Sequence, residues 1–355
     1  MNILIDIGHP AHVHLFKHFA WIMQKKGHSV LFTSRDKEVT IQLLRAYRFD
    51  FFVFGKTYKK IAGKIWGLIK FDFLLLKIAL KFKPDILLSA GSMYAAQVAW
   101  IIRKPHITFE DTGNMEQIRL YKPFSKIILV STAFHKELGE KQIRYKGYHE
   151  LAYLHPDYFQ PDDTIFDILK RKKEEPFVLV RFVSWSASHD VGQSGFTPEM
   201  KTEIVHELSE YAEVFVSAEC DLPISLEQFQ IKIPPERMHD VLAFAALFVG
   251  EGATMASECV MLGTPAIYVN SITAGTLEEQ EKYGLLYRFR NSTGVLEKTR
   301  ELINNPGLRH LHQERRKRML ADKIDVTKFM CWFVENYPES VSIMKTDPDY
   351  QFRIK

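Results

Sequence analysis

Asn2-Ile3-Leu4-Ile5-Asp6-Ile7, followed by Gly8-His9-Pro10-Ala11 and the run from His12 onward, is the stretch that decides the fold. The first six residues are a short apolar strand, and the next four are turn chemistry. Val13, Phe16, Phe19, Ala20 and Met23 then recur at helical spacing over 12–26. Gly27-His28 stops that helix, and Ser29-Val30-Leu31-Phe32-Thr33 is a second strand. Two strands joined through a helix run parallel, so the chain opens on a βαβ unit. The rhythm continues with strands expected over 50–54, 84–89, 106–109 and 126–130, and a helix over 93–102 opened by Gly91-Ser92. It restarts with strands over 177–183, 214–217, 247–250 and 266–269, and helices over 198–211 and 254–262. Residues 150–176, with Pro156, Pro161 and a charged run from Lys170, read as the connection.

The length of 355 residues fits two domains at about 100–200 residues each. With 46% hydrophobic and 25% charged residues, the chain is neither disordered, nor fibrous, nor a disulfide-stapled mini-protein. Cys220, Cys259 and Cys331 lie in apolar segments and read as buried thiols. Residues 1–165 hold 24 Lys+Arg against 15 Asp+Glu, a net of +9, whereas 166–355 hold 23 against 28, a net of −5. The two halves are therefore expected to face different partners. No apolar run reaches the 18 or so residues of a membrane span, and the N-terminus lacks a basic leader, so a cytoplasmic protein is expected. The expected architecture is α/β: two Rossmann-like domains with parallel sheets facing a central cleft, where ligands of such folds bind. The first domain covers 1–160, the second 170–324. A last helix is expected over 326–337, capped by Asp325 and followed by Pro338.

Gly250-Glu251-Gly252-Ala253-Thr254-Met255-Ala256-Ser257-Glu258 follows a strand and opens a helix. Small residues there let a backbone approach a ligand, and free amides favour a phosphate. Glu258 could accept from two adjacent ribose hydroxyls; the plainer alternative is a glycine turn with a solvent-facing glutamate. The run from Gly252 to Val269, with Leu262-Gly263-Thr264-Pro265-Ala266, resembles the donor-binding segment of GT-B glycosyltransferases. Their wider class includes the non-hydrolysing UDP-N-acetylglucosamine 2-epimerases. Gly8-His9-Pro10-Ala11-His12 … Lys26-Gly27-His28 resembles the transferases' glycine-rich loop with its histidine. Over nearly its full length the chain is similar to the domain-of-unknown-function-354 family, whose inferred fold is GT-B.

The resemblance implies a metal-independent glycosyltransferase with no cofactor beyond its nucleotide-sugar co-substrate, which the class gives as UDP-linked. It implies that Gly252, Ala253, Thr254 and Glu258 bind the donor, and that His12 is the base acting on an acceptor hydroxyl. It also implies that residues 325–355 cross back onto the first domain. Arg181, Ser184 and Ser186, at the end of the strand over 177–183, suit a diphosphate; a polar loop is the plainer reading. Glu278-Glu279-Gln280 precedes a helix expected to run toward Tyr287, and Glu279 and Gln280 stand where an acidic-Gln pair of related transferases contacts sugar hydroxyls; a charged helix start is the plainer reading. Gly91, Ser92 and His9 are expected on the acceptor side, and Glu110 or Asp111 could be the base instead of His12. His9, His12, His14 and His18 lack a completing Cys or carboxylate, so no metal is expected.

The segment 56–83 holds eight lysines and one acid, Asp72. It reads either as an amphipathic core helix or as a surface on anionic lipid at the inner face of the plasma membrane. No nucleic-acid motif is evident. The expected function is transfer of a sugar to a glycan or lipid-linked acceptor in cell-envelope polysaccharide synthesis. A 2-epimerase is the second reading, set back because Ala90-Gly91-Ser92 stands where epimerases carry His-Gly-Asp. A non-catalytic sugar-nucleotide-binding protein is the third.

Overall fold

The computed structural model describes residues 1–37, 39–56, 61–184, 195–219, 221–272 and 274–354. The chain divides into two compact units, Met1–Tyr153 with Ile324–Lys355, and Leu154–Lys323. In chain order the first holds β1 (Asn2–Ile7), α1 (Pro10–Lys25), β2 (Ser29–Asp36), α2 (Thr40–Ala46), β3 (Phe51–Lys56), α3 (Ile61–Phe82), β4 (Ile86–Ala90), α4 (Met93–Ile101), β5 (His106–Glu110), α5 (Met115–Tyr121), β6 (Ile127–Ser131) and β7 (Gln142–Tyr145). A single turn, α6 (Leu151–Leu154), leads to the second unit. That unit holds α7 (Ile165–Leu169), β8 (Phe177–Phe182), α8 (Pro198–Ser209), β9 (Glu213–Ala218), α9 (Met238–Phe244), β10 (Leu247–Gly250), α10 (Ala253–Leu262), β11 (Ala266–Val269), α11 (Gly275–Lys282), β12 (Leu286–Phe289), α12 (Val295–Ile303) and α13 (Leu308–Ala321). The chain then returns to the first unit with α14 (Val326–Glu335) and α15 (Glu339–Thr346).

Both sheets are parallel throughout. The first runs β3-β2-β1-β4-β5-β6-β7 and the second β12-β11-β10-β8-β9. The strands are nearly continuous apolar runs because helices cover both faces of such a sheet. Ile3, Leu4, Ile5, Leu87, Leu88, Ile128 and Leu129 are fully buried in the first sheet, and Val178, Leu179, Phe248 and Val249 in the second. Cys259 and Cys331 are buried free thiols, as expected; Cys220 lies outside the described residues.

Within the segment 56–83, α3 (Ile61–Phe82) has a core face. Phe71, Leu75 and Ala79, at helical spacing, pack with Leu4, Leu31, Leu87 and Val98 over the first sheet. Lys59 and Lys60 lie outside the described residues. The return segment is tied down as strongly. Lys26 pairs with Glu335 at 2.7 Å, Thr327 Oγ1 donates to the Ala152 carbonyl at 2.7 Å, and Tyr145 stacks on Phe329. The structure also corrects the helix expected between Gln280 and Tyr287: α11 begins at Gly275, contains Glu279 and Gln280 and stops at Lys282, Gly284 turns the chain at φ +72°, and Tyr287 lies in β12.

Candidate functional site

In the first unit the carboxyl ends of β1, β2 and β4 are bound together by one buried acid. Asp6 lies opposite Thr33 on β2 and Ser89 on β4. Its carboxylate accepts from Thr33 Oγ1 (2.8 Å), Ser92 Oγ (2.5 Å) and Arg35 Nη1 (2.8 Å). The Arg35 guanidinium lies over the Tyr94 ring and close under Gly8, where a Cβ would come within 3.1 Å of Nη2. Ser92 also caps α4 through Ala95, and Gly91, at φ +69°, donates to Thr108 Oγ1. Gly91 and Ser92, expected on the acceptor side, are thus engaged in building the loop.

The histidines above this clamp are ordered by backbone amides. His9 caps α1 by accepting from the Ala11 N–H at its Nδ1 (3.2 Å), and His12 Nδ1 accepts from the Gly8 N–H (3.3 Å). Burial, then the nearby His9, push the His12 pKa down to about 3, so its ring is neutral at pH 7. A neutral ring whose Nδ1 accepts carries its proton on Nε2. His12 therefore presents an N–H donor, which differs from the base expected of it. His14 is held by the Tyr47 hydroxyl at 3.2 Å, and the His18 ring packs edge-on against Trp21.

The adjacent carboxylates at the end of β5 have opposite fates. Glu110 is buried, accepting from Thr112 Oγ1 (2.7 Å) and the Gly113 N–H (2.8 Å) at one oxygen and from the Tyr121 hydroxyl (2.5 Å) at the other. Burial, with Asp111 beside it, raises its pKa against those donors. Asp111 is 41% exposed and meets His149 Nδ1 at 2.9 Å. Burial would raise the Asp111 carboxyl, but the His149 charge and hydrogen bond, with His12 and His9, hold it below its ordinary value. Burial would likewise lower His149, and Asp111 overrides it, holding the imidazole above its ordinary value. His149 Nε2 is buried and has no hydrogen-bond partner among the described residues.

In the second unit, Gly250 packs where β8 and β10 meet: a Cβ there would lie 2.7 Å from Arg181 Cβ and 3.0 Å from its carbonyl. Its smallness serves the strand, which corrects the expectation that it admits a ligand. Gly252 begins α10 with no side-chain cap, leaving the first amides of that helix to another acceptor. Glu251 is buried and holds both flanks of the segment between them, accepting from the Val183 N–H (3.1 Å) and the Phe196 N–H (2.8 Å). Glu258 is buried as well, its Oε1 3.0 Å from His239 Nε2. That removes the solvent-facing alternative.

The family described as "Protein of unknown function (DUF354)" matches residues 1–339. The chain belongs to that family. It is also similar to an uncharacterized protein of Methanocaldococcus jannaschii, 24% identical over 278 residues, 75% of this chain and 81% of that protein. Among solved structures it is similar to the UDP-GlcNAc 2-epimerase of Neisseria meningitidis bound to UDP-GlcNAc, at a TM-score of 0.67 and 12% identity, covering 88% of this chain and 94% of that one. It is similar, too, to the glycosyltransferase SsfS6 of Streptomyces sp. SF2575 complexed with thymidine diphosphate, at a TM-score of 0.60 and 13% identity, covering 93% and 99%. At such identities the likeness establishes the GT-B fold.

Within this DUF354 chain, several expected donor residues are committed elsewhere. Arg181 donates to Ser217 Oγ at 2.7 Å and pairs with Glu219, which also accepts from the Ser184 N–H. Glu279 pairs with the buried Lys323 at 2.7 Å, and Gln280 is buried, donating to Ser257 Oγ at 2.6 Å. Ser186 lies outside the described residues. The residues missed in the sequence are His149, His239 and Glu251. Gly250→Ala is expected to cost about 1–3 kcal/mol, because the new methyl meets backbone as well as side chain. A lower thermal midpoint would register it; an unchanged one would show that β8 and β10 can part freely.

Proposed function

We propose that this DUF354 protein is a glycosyltransferase that moves a sugar from a nucleotide sugar, most simply UDP-linked, to a hydroxyl of a glycan or lipid-linked acceptor. The observation that carries the reading is the Asp111–His149 pair. Of His12, Glu110 and Asp111, only Asp111 offers a partly exposed, ionised carboxylate. In the reaction the acceptor oxygen bonds to the anomeric carbon as the bond from that carbon to the diphosphate breaks. The diphosphate leaves with the electron pair, and the hydroxyl proton passes to Asp111. His149 holds Asp111 in place, and the His12 Nε2–H is a donor for substrate oxygen. The second unit takes the donor, with the uncapped amides of α10 for phosphate and Glu258, steadied by His239, for ribose. A lipid-linked acceptor would place the work at the cytoplasmic face of a membrane, in envelope polysaccharide synthesis. The engagement of Glu110 by three donors counts against a 2-epimerase, whose chemistry calls for several available acids.

Thermal shift with UDP and a panel of UDP-sugars tests the donor half. A ligand at a hundred times its dissociation constant adds about 2.7 kcal/mol of stability. Glu258→Ala is expected to remove the UDP response, and a response of undiminished size would overturn the ribose assignment. Deuterium uptake at the sugar C2 in heavy water, without acceptor, would transfer the reading to the epimerase.

A further inference from the structure

We infer that the α3–α4–α5 face of the first unit docks on an anionic lipid bilayer. The inference deepens the lipid-linked branch of the proposed function, and its test involves no nucleotide. These three helices are neighbours on one side of the first sheet. Their inner faces are in the core, yet their outer faces carry large apolar side chains: Phe73 is 66% exposed, Trp100 64% and Leu80 61%, with Ile69, Ile101 and Leu120 about half exposed. On α3, Ile69, Phe73 and Leu80 fall on one stripe, opposite the buried Phe71, Leu75 and Ala79. Soluble surfaces scatter such residues singly; grouped on adjoining helices they mark a site of contact.

The charge decides what it contacts. Lys77, Lys81, Arg103, Arg119 and Lys126 are exposed on or beside these helices. The unit as a whole holds 28 Lys+Arg against 17 Asp+Glu, a net of +11, while the second unit, with 19 against 26, stands at −7. Acids are sparse here: Asp85 lies 3.7 Å from Lys104, Glu116 opens α5, and Asp72 is half-buried with its pKa raised to about 7 by burial and by Asp6. Lys141 Nζ donates to the carbonyls of Lys122 and Pro123, just past α5, and adds a further positive charge beside Lys122 and Lys126. Among the described residues no helix is long and apolar enough to cross a membrane. Apolar residues flanked by lysines, with an exposed tryptophan among them, suit a helix face lying in the headgroup layer. A second copy would set like charges against each other, and nucleic acid has no use for exposed leucine and isoleucine.

Sedimentation with vesicles of phosphatidylglycerol and phosphatidylcholine, against phosphatidylcholine alone, tests this on the full chain. Pelleting is expected with the anionic vesicles, weakening as salt rises, and falling about fivefold in partition coefficient for each of Lys77→Gln, Lys81→Gln and Arg103→Gln. The triple variant Phe73→Ser, Leu80→Ser, Trp100→Ser, altered only at exposed positions, is expected to keep its thermal midpoint and lose pelleting. No pelleting by the parent chain at low salt, equal pelleting by that folded variant, a self-associating face that ignores lipid, or binding to RNA in preference to vesicles would each overturn the inference. The response to UDP, measured separately, belongs to the donor reading and stands or falls without it.

Discussion

Asp111→Asn is expected to lower turnover about 10²- to 10⁴-fold while leaving the UDP response intact, because it removes a proton acceptor and nothing from the second unit. Release of nucleoside diphosphate from whichever UDP-sugar stabilises the protein is the readout; unimpaired turnover would remove Asp111 from the reaction. His149→Gln should lose less, and its residual rate should shift along the pH axis, since it alters how Asp111 titrates. The stability effect has a definite sign. His149 sits above its ordinary 6.5, so its contribution is full below 6.5 and is lost as pH rises through the raised value. Asp111 sits below its ordinary 3.8, so its contribution is present above 3.8 and is lost as pH falls through the lowered value. The stability gap between parent and Asp111→Asn should therefore be widest between about pH 4 and 6.5. A gap that grew toward pH 9 would mean that the pair is not charged as described.

Arg35→Met is expected to be the most damaging single change to the first unit, at about 3–5 kcal/mol. Asp6 has no exposed surface, and Arg35 supplies the countercharge. Removing it leaves a buried anion that, among the described residues, keeps the hydroxyls of Thr33 and Ser92 as donors. Those two side chains sit on β2 and at the head of α4, so the loss spreads to the loop that orients His9 and His12. Urea unfolding followed by a probe in the first unit would measure it. Asp6→Asn combined with Arg35→Met should cost clearly less than the two single changes added together. Strict additivity would show that the two residues do not act as a pair.

The strands that were legible in the sequence are the apolar ones. β1, β10 and β11 are legible to the residue, because a strand buried on both faces is an unbroken apolar run. β7 (Gln-Ile-Arg-Tyr) and β12 (Leu-Tyr-Arg-Phe) end their sheets, are four residues long and carry arginine, so they present no such run. The site inherited that blindness. Sites in parallel sheets are sought at the carboxyl ends of strands, and His149 follows β7, whose residues give no strand signal to search from. Glu110 and Asp111 are adjacent acids in the sequence; only the fold distinguishes one locked among three donors from one left partly open. The tautomer of His12 depends on a backbone N–H that no residue pattern records.

The first unit is discontinuous, closed by α14 and α15 after the whole of the second has intervened. On the ribosome this sets an order. The second unit is one unbroken stretch and needs none of residues 324–355 for its core, whereas the first cannot close without them. Until Val326 settles against Gly147, where a Cβ would come within 2.5 Å, the α1 side of the sheet stands uncovered. A released chain ending at residue 323 would therefore expose apolar surface in the first unit while the second had closed its own core, the reverse of ordinary vectorial folding.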